Sequence, residues 1–466
     1  MPLTKRIHTI LRLELRPMFT VAWPVILAEI GWIMMGVVDT IMVGRVSPEA
    51  IGAVGLGSTV FAFFILFGMG VLLGLDFLVS FAYGAGKLRD CKEIFIQGLY
   101  IAAGLGLVVF LLFRLFIHIL PAIGIQPEVE RLTIDYLYPK SWAILPLMLF
   151  FALRRYLQAL HIVKPITVVL LTANGINIII NWLLIFGKLG APELGSTGAA
   201  YGTLFSMIYM FLFLSIVVVR VDRRLFRDLE QVSLRLNMPR IVKIFRLGLP
   251  AAFQILLEVG AFAVVTLLAG KLSALSLAAH QISLRLASFT FMVPLGMSSA
   301  AAVRVGQALG KKDNPGAIRS GWTALFLSSA FMTFSGIVFV VFPNFLLFLF
   351  TDDAMVITIG VRLLLIAALF QLFDGLQITA TGILRGLGNT RTPMLLNIVG
   401  HWVFGIPTAV VLCFVYDLGV FGLWIGLCVG LIIVAMPLLF VWFKNVRRLK
   451  RETTEDFVSS PVRSEG

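Results

Sequence analysis

Runs of about twenty apolar residues recur along the whole chain, and each is long enough to cross the roughly 30 Å hydrocarbon layer of a bilayer as an α-helix. Read between charged or Gly/Pro-rich breaks, twelve such runs lie near residues 19–43, 51–82, 94–120, 132–153, 165–187, 195–219, 247–270, 277–303, 320–350, 355–384, 393–416 and 418–443. A membrane-spanning barrel strand would be about ten residues long and would alternate apolar with polar side chains. These runs do neither. Water is not the main solvent of such a chain: 59% of its residues are hydrophobic and 13% charged, whereas an ordinary globular domain carries roughly 25% charge. The expected fold class is all-α integral membrane, with twelve transmembrane helices.

The net charge of +14 raises the question of nucleic acid, but no basic, aromatic-interleaved soluble domain accompanies it. Its placement points instead to topology. Of the 38 basic residues, 30 fall on one set of faces: the amino-terminal segment, the stretches 87–92, 154–164, 220–246, 304–319 and 385–391, and the tail from Lys444. The opposite loops are poor in Lys and Arg and carry Glu128, Glu130, Glu193, Asp352, Asp353 and Asp417. The positive-inside rule then puts both termini in the cytoplasm, and the excess charge is spent on orientation and lipid headgroups. Cys91, Cys413 and Cys428 are scattered, without metal-binding or disulfide spacing. The amino terminus lacks a small-residue cleavage site, so the first helix is expected to act as the targeting signal.

One long hydrophilic stretch divides the chain near its midpoint, and the halves on either side match. Trp23-Pro24 corresponds to Leu249-Pro250, and the segment Val43 to Ser47 to the segment Ala269 to Ser273; Gly86-Lys87, Lys164-Pro165 and Leu194-Gly195 find counterparts in Gly310-Lys311, Thr392-Pro393 and Leu418-Gly419. The expected organisation is an amino-terminal six-helix lobe (1–219), a cytoplasmic linker (220–246), a carboxy-terminal six-helix lobe (247–445) and a disordered cytoplasmic tail (446–466). Six is even, so the halves enter the membrane in the same sense and form a parallel repeat about an axis along the membrane normal. Duplication of this kind suits a transporter, because a site between two similar bundles can open to either side as they rock.

An ionised side chain at bilayer depth costs about 2.5–3.5 kcal/mol on insertion scales, so each needs a partner, a wet cavity or a proton. Glu258 lies mid-span in LPAAFQILLEVGAFAVV with no basic residue within a turn or two. Asp374 lies in FQLFDGLQITATG, where Gly375 and Gly382 are expected to thin the helix and let it bend toward a cavity. Two acids from different helices of one half form a hard-oxygen site for Na⁺ or share a proton, and either is displaced when a cationic substrate binds. The competing reading of each is a structural hydrogen bond. Asp39, in VVDTIMVGR, is a third candidate for cation coupling, with a salt bridge to Arg45 as its alternative. Asn174, Asn177 and Asn181 share one helical face. That stripe either lines a cavity or joins helices; Asn177 and Asn181, with Gln281, are taken as cavity-lining polar groups. Glu29 and Asp76 read as pairing across helices, Arg285 as a partner for an acid of its half or an outward-reaching side chain, and His280 and His401 as packing residues. Buried basic residues are expected to be few, chiefly Arg114 and Arg285.

No GxxxxGK[ST] loop is present, so ATP is not expected to power this chain, and neither a nucleophile elbow nor an HExxH motif marks an enzyme. VDTIMVGR after the first span, GLDFLVSFAYGAGK at the end of the second, LAAHQISLRLASFTFMVPLGMSSAAAVRVGQALG through the eighth and LRGLGNTRTP after the tenth resemble the multidrug and toxic compound extrusion (MATE) transporters, in their NorM-like branch, over about residues 15–445. The resemblance implies two pseudo-symmetric six-helix lobes forming a V, a cavity facing either side in turn, and antiport of small organic cations against Na⁺ or H⁺, with no further cofactor. It places Glu258 and Asp374 where that branch keeps its carboxy-lobe acids, a possible Na⁺ site, and Asp39 at the amino-lobe aspartate. It also implies a monomer in the bacterial inner membrane. Two departures stand out. Many Na⁺-coupled relatives have Tyr where this chain has Phe370, and the DinF-like branch has a second amino-lobe Asp where this chain has Asn181. The second departure argues against a proton site confined to the amino-terminal lobe. The alternatives are a lipid-linked precursor flippase of the same superfamily, which would need a cavity rich in Arg and Lys, and a channel or integral-membrane enzyme.

Overall fold

The computed structural model describes residues 15–124, 126–225 and 232–459. Helix is the only regular structure among them, as expected where no water is at hand to satisfy exposed backbone groups. In chain order the helices are α1 (Arg16–Val43), α2 (Pro48–Leu72), α3 (Gly74–Gly84), α4 (Leu88–Ile119), α5 (Pro127–Ser141), α6 (Ile144–Ala159), α7 (Lys164–Ile185), α8 (Ser196–Leu225), α9 (Met238–Leu272), α10 (Ala274–Gly310), α11 (Asn314–Val341), the short α12 (Pro343–Phe348), α13 (Ala354–Gly386), α14 (Arg391–Asn397), α15 (Ile406–Val410) and α16 (Gly419–Ser459). Among the described residues, eleven spans are long and apolar enough to cross a membrane, α2 with α3 counting as one; α5 and α6, bent by 49° at their junction, supply a twelfth if taken as one span. The bend falls beside Pro139 and just ahead of Pro146, each of which lacks the N–H an unbroken helix would use.

The chain divides into two compact units. One comprises Leu27–Tyr83 and Lys87–Ala252; the other comprises Phe253–Gly466 with Met1–Ile26 and Gly84–Gly86. In the first, α4 packs on α6, α7 on α8, and α5 on α2 and α8, around a core that includes Phe61, Phe113, Tyr136, Phe150, Phe151 and Tyr156. In the second, α13 packs on α10, α11 and α16, around Phe370, Trp424, Leu363 and Leu431.

The internal repeat is visible at the level of single caps. Ser47 (φ −162°, ψ 160°) accepts from Ala50 N to start α2, and Ser273 (φ −166°, ψ 160°) accepts from Ser276 N to start α10. A side-chain oxygen at this position satisfies an amide that the first turn leaves unpaired. Gly195, just before α8, and Gly419, the first residue of α16, also matched in the sequence, have φ of +53° and +55°, the left-handed region where glycine costs least.

Several helices outrun their apolar cores. The expected linker is helical to Leu225 and again from Met238, with residues 226–231 outside the described ones. The expected disordered tail instead continues α16 to Ser459, stiffened by an Arg448–Glu452 pair one turn apart at 2.8 Å; residues 460–466 lie outside the described ones. The span near 393–416 passes through π-helical turns at Ile398–Gly405 and Val411–Val415. Pro407 lies between them and would drive its ring into the carbonyl four residues back in an unbroken α-helix; a wider turn relieves that clash. This irregular stretch packs closely on α16: a Cβ on Gly400 would lie 2.2 Å from Val434 Cγ2, and one on Gly426 would lie 2.4 Å from Ala409. Small residues at such crossings let helix backbones approach.

Candidate functional site

Glu258 on α9 and Asp374 on α13 are both buried, and each lies within electrostatic range of the other. Their helices are held in antiparallel register. One turn beyond Glu258 stands Phe262, one turn before Asp374 stands Phe370, and these two rings meet edge to face at 6.0 Å. The side chains of Gln254 and Gln377 face the Glu258 carboxylate. Among the described residues, no Lys, Arg or His forms an ion pair with either acid. The pair is therefore a buried, like-charged couple surrounded by amides and aromatic rings, which cannot remain doubly ionised without a proton or a cation.

In the same unit, buried polar atoms without a hydrogen-bond partner among the described residues include both side-chain ends of Asn397 and the hydroxyls of Thr379 and Thr381. The His401 ring stands 6.5 Å from Phe262. Phe370 is sealed between Phe262 and Trp424, at 5.8 Å from the latter. Among the described residues there is no group of three His, Cys, Asp or Glu that could hold a metal. Carboxylate and amide oxygens are hard donors, which suit hard cations better than soft ones.

Gly375 and Gly382 act differently from the sequence expectation. α13 runs unbroken, and a Cβ on Gly375 would lie 2.6 Å from Met332 Cγ, one on Gly382 2.3 Å from the Ser298 carbonyl. They admit neighbours rather than bend the helix. His280 is a satisfied packing residue: Trp424 donates to its Nδ1 at 3.1 Å, which leaves Nε2 to donate to Thr266 Oγ1 at 2.9 Å. Gln281, one residue on, is half-buried, and among the described residues no hydrogen bond ties it to either acid. Arg285 is exposed, and among the described residues it forms an ion pair with neither acid.

A second polar cluster lies in the other unit. Asp39 on α1 is buried, and its two oxygens accept from Asn181 Nδ2 at 2.6 Å and Thr203 Oγ1 at 2.9 Å. Asn181 also donates to Asn177 Oδ1 at 3.3 Å, so these two asparagines do face a carboxylate. Gly202 makes room for them: a Cβ there would come within 1.9 Å of Asn181 Oδ1. Asn174, from the same stripe, instead joins helices by donating to Gly31 O at 2.9 Å. Arg45 is exposed, and the basic residue in range of Asp39 is Lys140. Lys140, Thr203, Tyr136 and Ser58 belong to this cluster and were not singled out from the sequence.

Two buried arginines are each paired with an acid. Arg154 bonds Glu29 directly, and Arg155 lies 3.6 Å from Asp76. Both arginines are buried within α6, not in a loop as the charge count had placed them. Arg114 lies over the Tyr138 ring at 4.3 Å.

Apolar spans in a duplicated helical chain, with acids held among neutral side chains, are the features of a multi-pass membrane transporter. A model of the MatE family matches residues 24–183 and again residues 250–411, once per half and in the register of the repeat, and the chain belongs to that family. It is 35% identical to a probable multidrug resistance protein NorM of Mesorhizobium japonicum, over 94% of this chain and 95% of that protein. A probable multidrug resistance protein NorM of Rhodopseudomonas palustris is 36% identical over 95% and 93%. Among solved structures, the eukaryotic MATE transporter AtDTX14 shares the fold with a TM-score of 0.81 at 24% identity, covering 95% of this chain and 99% of that one.

Proposed function

We propose that this chain exports small, often cationic organic compounds, drugs and toxins among them, in exchange for Na⁺ or H⁺, and that Glu258 and Asp374 carry the exchange. The observation that supports this is a pair of buried acids within electrostatic range of one another, with no basic partner among the described residues. When both carboxylates are charged, the low dielectric makes their repulsion strong; a proton or Na⁺ relieves it, and so does an organic cation. The two ligands therefore compete for one negative site, and binding of cargo releases the coupling ion. Aromatic rings beside the acids supply apolar area and π faces for a cationic cargo. Asp39 is a second candidate for coupling.

The working unit in this reading is a monomer in the bacterial inner membrane, surrounded by lipid, with both termini cytoplasmic and neither ATP nor nucleic acid as a partner. A lipid-linked precursor flippase is disfavoured because the buried Arg154, Arg155 and Lys140 each have an acid in range, leaving their charge committed before any pyrophosphate arrives. The test is transport. Proteoliposomes loaded with a fluorescent organic cation are given an opposing Na⁺ gradient or an opposing H⁺ gradient, separately. One of the two should drive the cation uphill; an organic cation that moves only down its own gradient under both would refute the exchange.

A further inference from the structure

Lys140 is a buried amine that no part of the exchange reading uses, and its surroundings are nearly all neutral. It lies at the end of α5, next to the break with α6, 4% exposed. Its ammonium donates to Ser58 Oγ at 3.1 Å and to the Tyr136 hydroxyl. It stands over the rings of Tyr136 at 4.4 Å and Phe61 at 5.1 Å. The acid within its electrostatic range is Asp39, and the charged group within range of Asp39 is Lys140. Each is the other's counter-charge, yet the two are not in contact, unlike Arg154 and Glu29, which bond directly.

That separation has a chemical consequence. The Asp39 oxygens accept from the neutral Asn181 amide and Thr203 hydroxyl rather than from the ammonium. A carboxylate is a hard donor, and its single negative charge attracts a hard cation. With an ammonium on the neighbouring helix the net charge is zero, and a second cation entering the same low-dielectric space meets repulsion.

We infer that Lys140 is a tethered counter-cation which fills electrostatically, at Asp39, the role a free cation would fill, and so keeps Na⁺ off the acid of this unit. The two units of the duplicated chain then divide the work: the acids on α9 and α13 have no basic partner, whereas the acid on α1 carries its own.

The experiment measures binding of ²²Na⁺ to the purified full-length chain and does not require transport. Run in a Glu258→Gln/Asp374→Asn background, it also does not require that those acids bind Na⁺; failure of the exchange reading is seen separately in proteoliposomes, as an organic cation that moves only down its own gradient under both an opposing Na⁺ and an opposing H⁺ gradient. In that background Lys140→Met should add about one Na⁺ per chain, Lys140→Met with Asp39→Asn should lose it again, and Lys140→Arg should add none. Lack of added Na⁺ in folded Lys140→Met, or added Na⁺ that survives loss of Asp39, would overturn the inference. Should Lys140→Met not fold, Asp39→Asn alone decides. It is expected to leave Na⁺ binding unchanged while lowering the melting temperature, because it strands the ammonium; loss of a bound Na⁺ on that substitution would overturn the inference equally.

Discussion

Phe262 and Phe370 meet edge to face at 6.0 Å, one turn from Glu258 and Asp374 on two antiparallel helices. This ring pair fixes the register that brings the acids together and closes one side of their surroundings. Edge-to-face pairs contribute about 0.5–1.5 kcal/mol beyond the area they bury. Phe370→Leu should therefore loosen the register and weaken exchange more than it weakens folding. Phe370→Tyr is the more telling change, because it adds a hydroxyl beside the acids in a ring position that is already occupied. If that hydroxyl reaches the coupling ion, one added polar contact of about 1 kcal/mol raises its apparent affinity roughly fivefold. The half-saturating Na⁺ or H⁺ concentration of transport is the measurement; an unchanged value would place the hydroxyl out of reach.

Glu29 and Arg154 are a direct pair in which the arginine is buried and the acid half-buried. Removing one partner of such a pair leaves a stranded charge, at a cost of about 3–5 kcal/mol. Glu29→Gln should accordingly lower the melting temperature strongly, and Glu29→Gln with Arg154→Met should recover most of the loss. A double variant as unstable as the single one would show that the pair is not what Glu29 contributes.

His280 accepts from Trp424 and donates to Thr266, so its protons are committed. His280→Gln is expected to cost about 1–3 kcal/mol of stability through groups left unpaired, with the pH profile of transport unmoved. A displaced profile would assign His280 a role in proton movement.

Gly202 lies against the asparagine that bonds Asp39, with room for no side chain at all. Gly202→Ala should displace Asn181 and cost about 1–3 kcal/mol, as overpacking generally does. Thermal unfolding in detergent checks this; an undisturbed melting temperature would mean that Asn181 is free to move away.

The spans were legible because apolar run length is a strong and local signal, and Glu258 and Asp374 stood out because an acid without a nearby base is conspicuous in such runs. What stayed hidden depends on contacts between distant segments. Lys140 sits inside the expected fourth span without an acid nearby in sequence, and only folding brings Asp39 into its range. Arg154 and Arg155 were read as loop charges because their acids, Glu29 and Asp76, lie more than seventy residues away. Gly375 and Gly382 suggested a bend, since the sequence does not reveal that Met332 and Ser298 press on them. The π-helical turns around Pro407 were equally unforeseen, because a proline signals a broken hydrogen bond without saying how the chain repairs it.

The central claim is that cargo and coupling ion compete for one pair of acids, and displacement in the purified protein tests it without any membrane gradient. The chain is equilibrated with ²²Na⁺, or held in weakly buffered solution to follow protons, and tetraphenylphosphonium is added. One of the two ions should be released in proportion to the tetraphenylphosphonium bound, and Glu258→Gln together with Asp374→Asn should abolish the release. If the organic cation binds while neither ion leaves, or if the release persists without both carboxylates, cargo and coupling ion do not share this site.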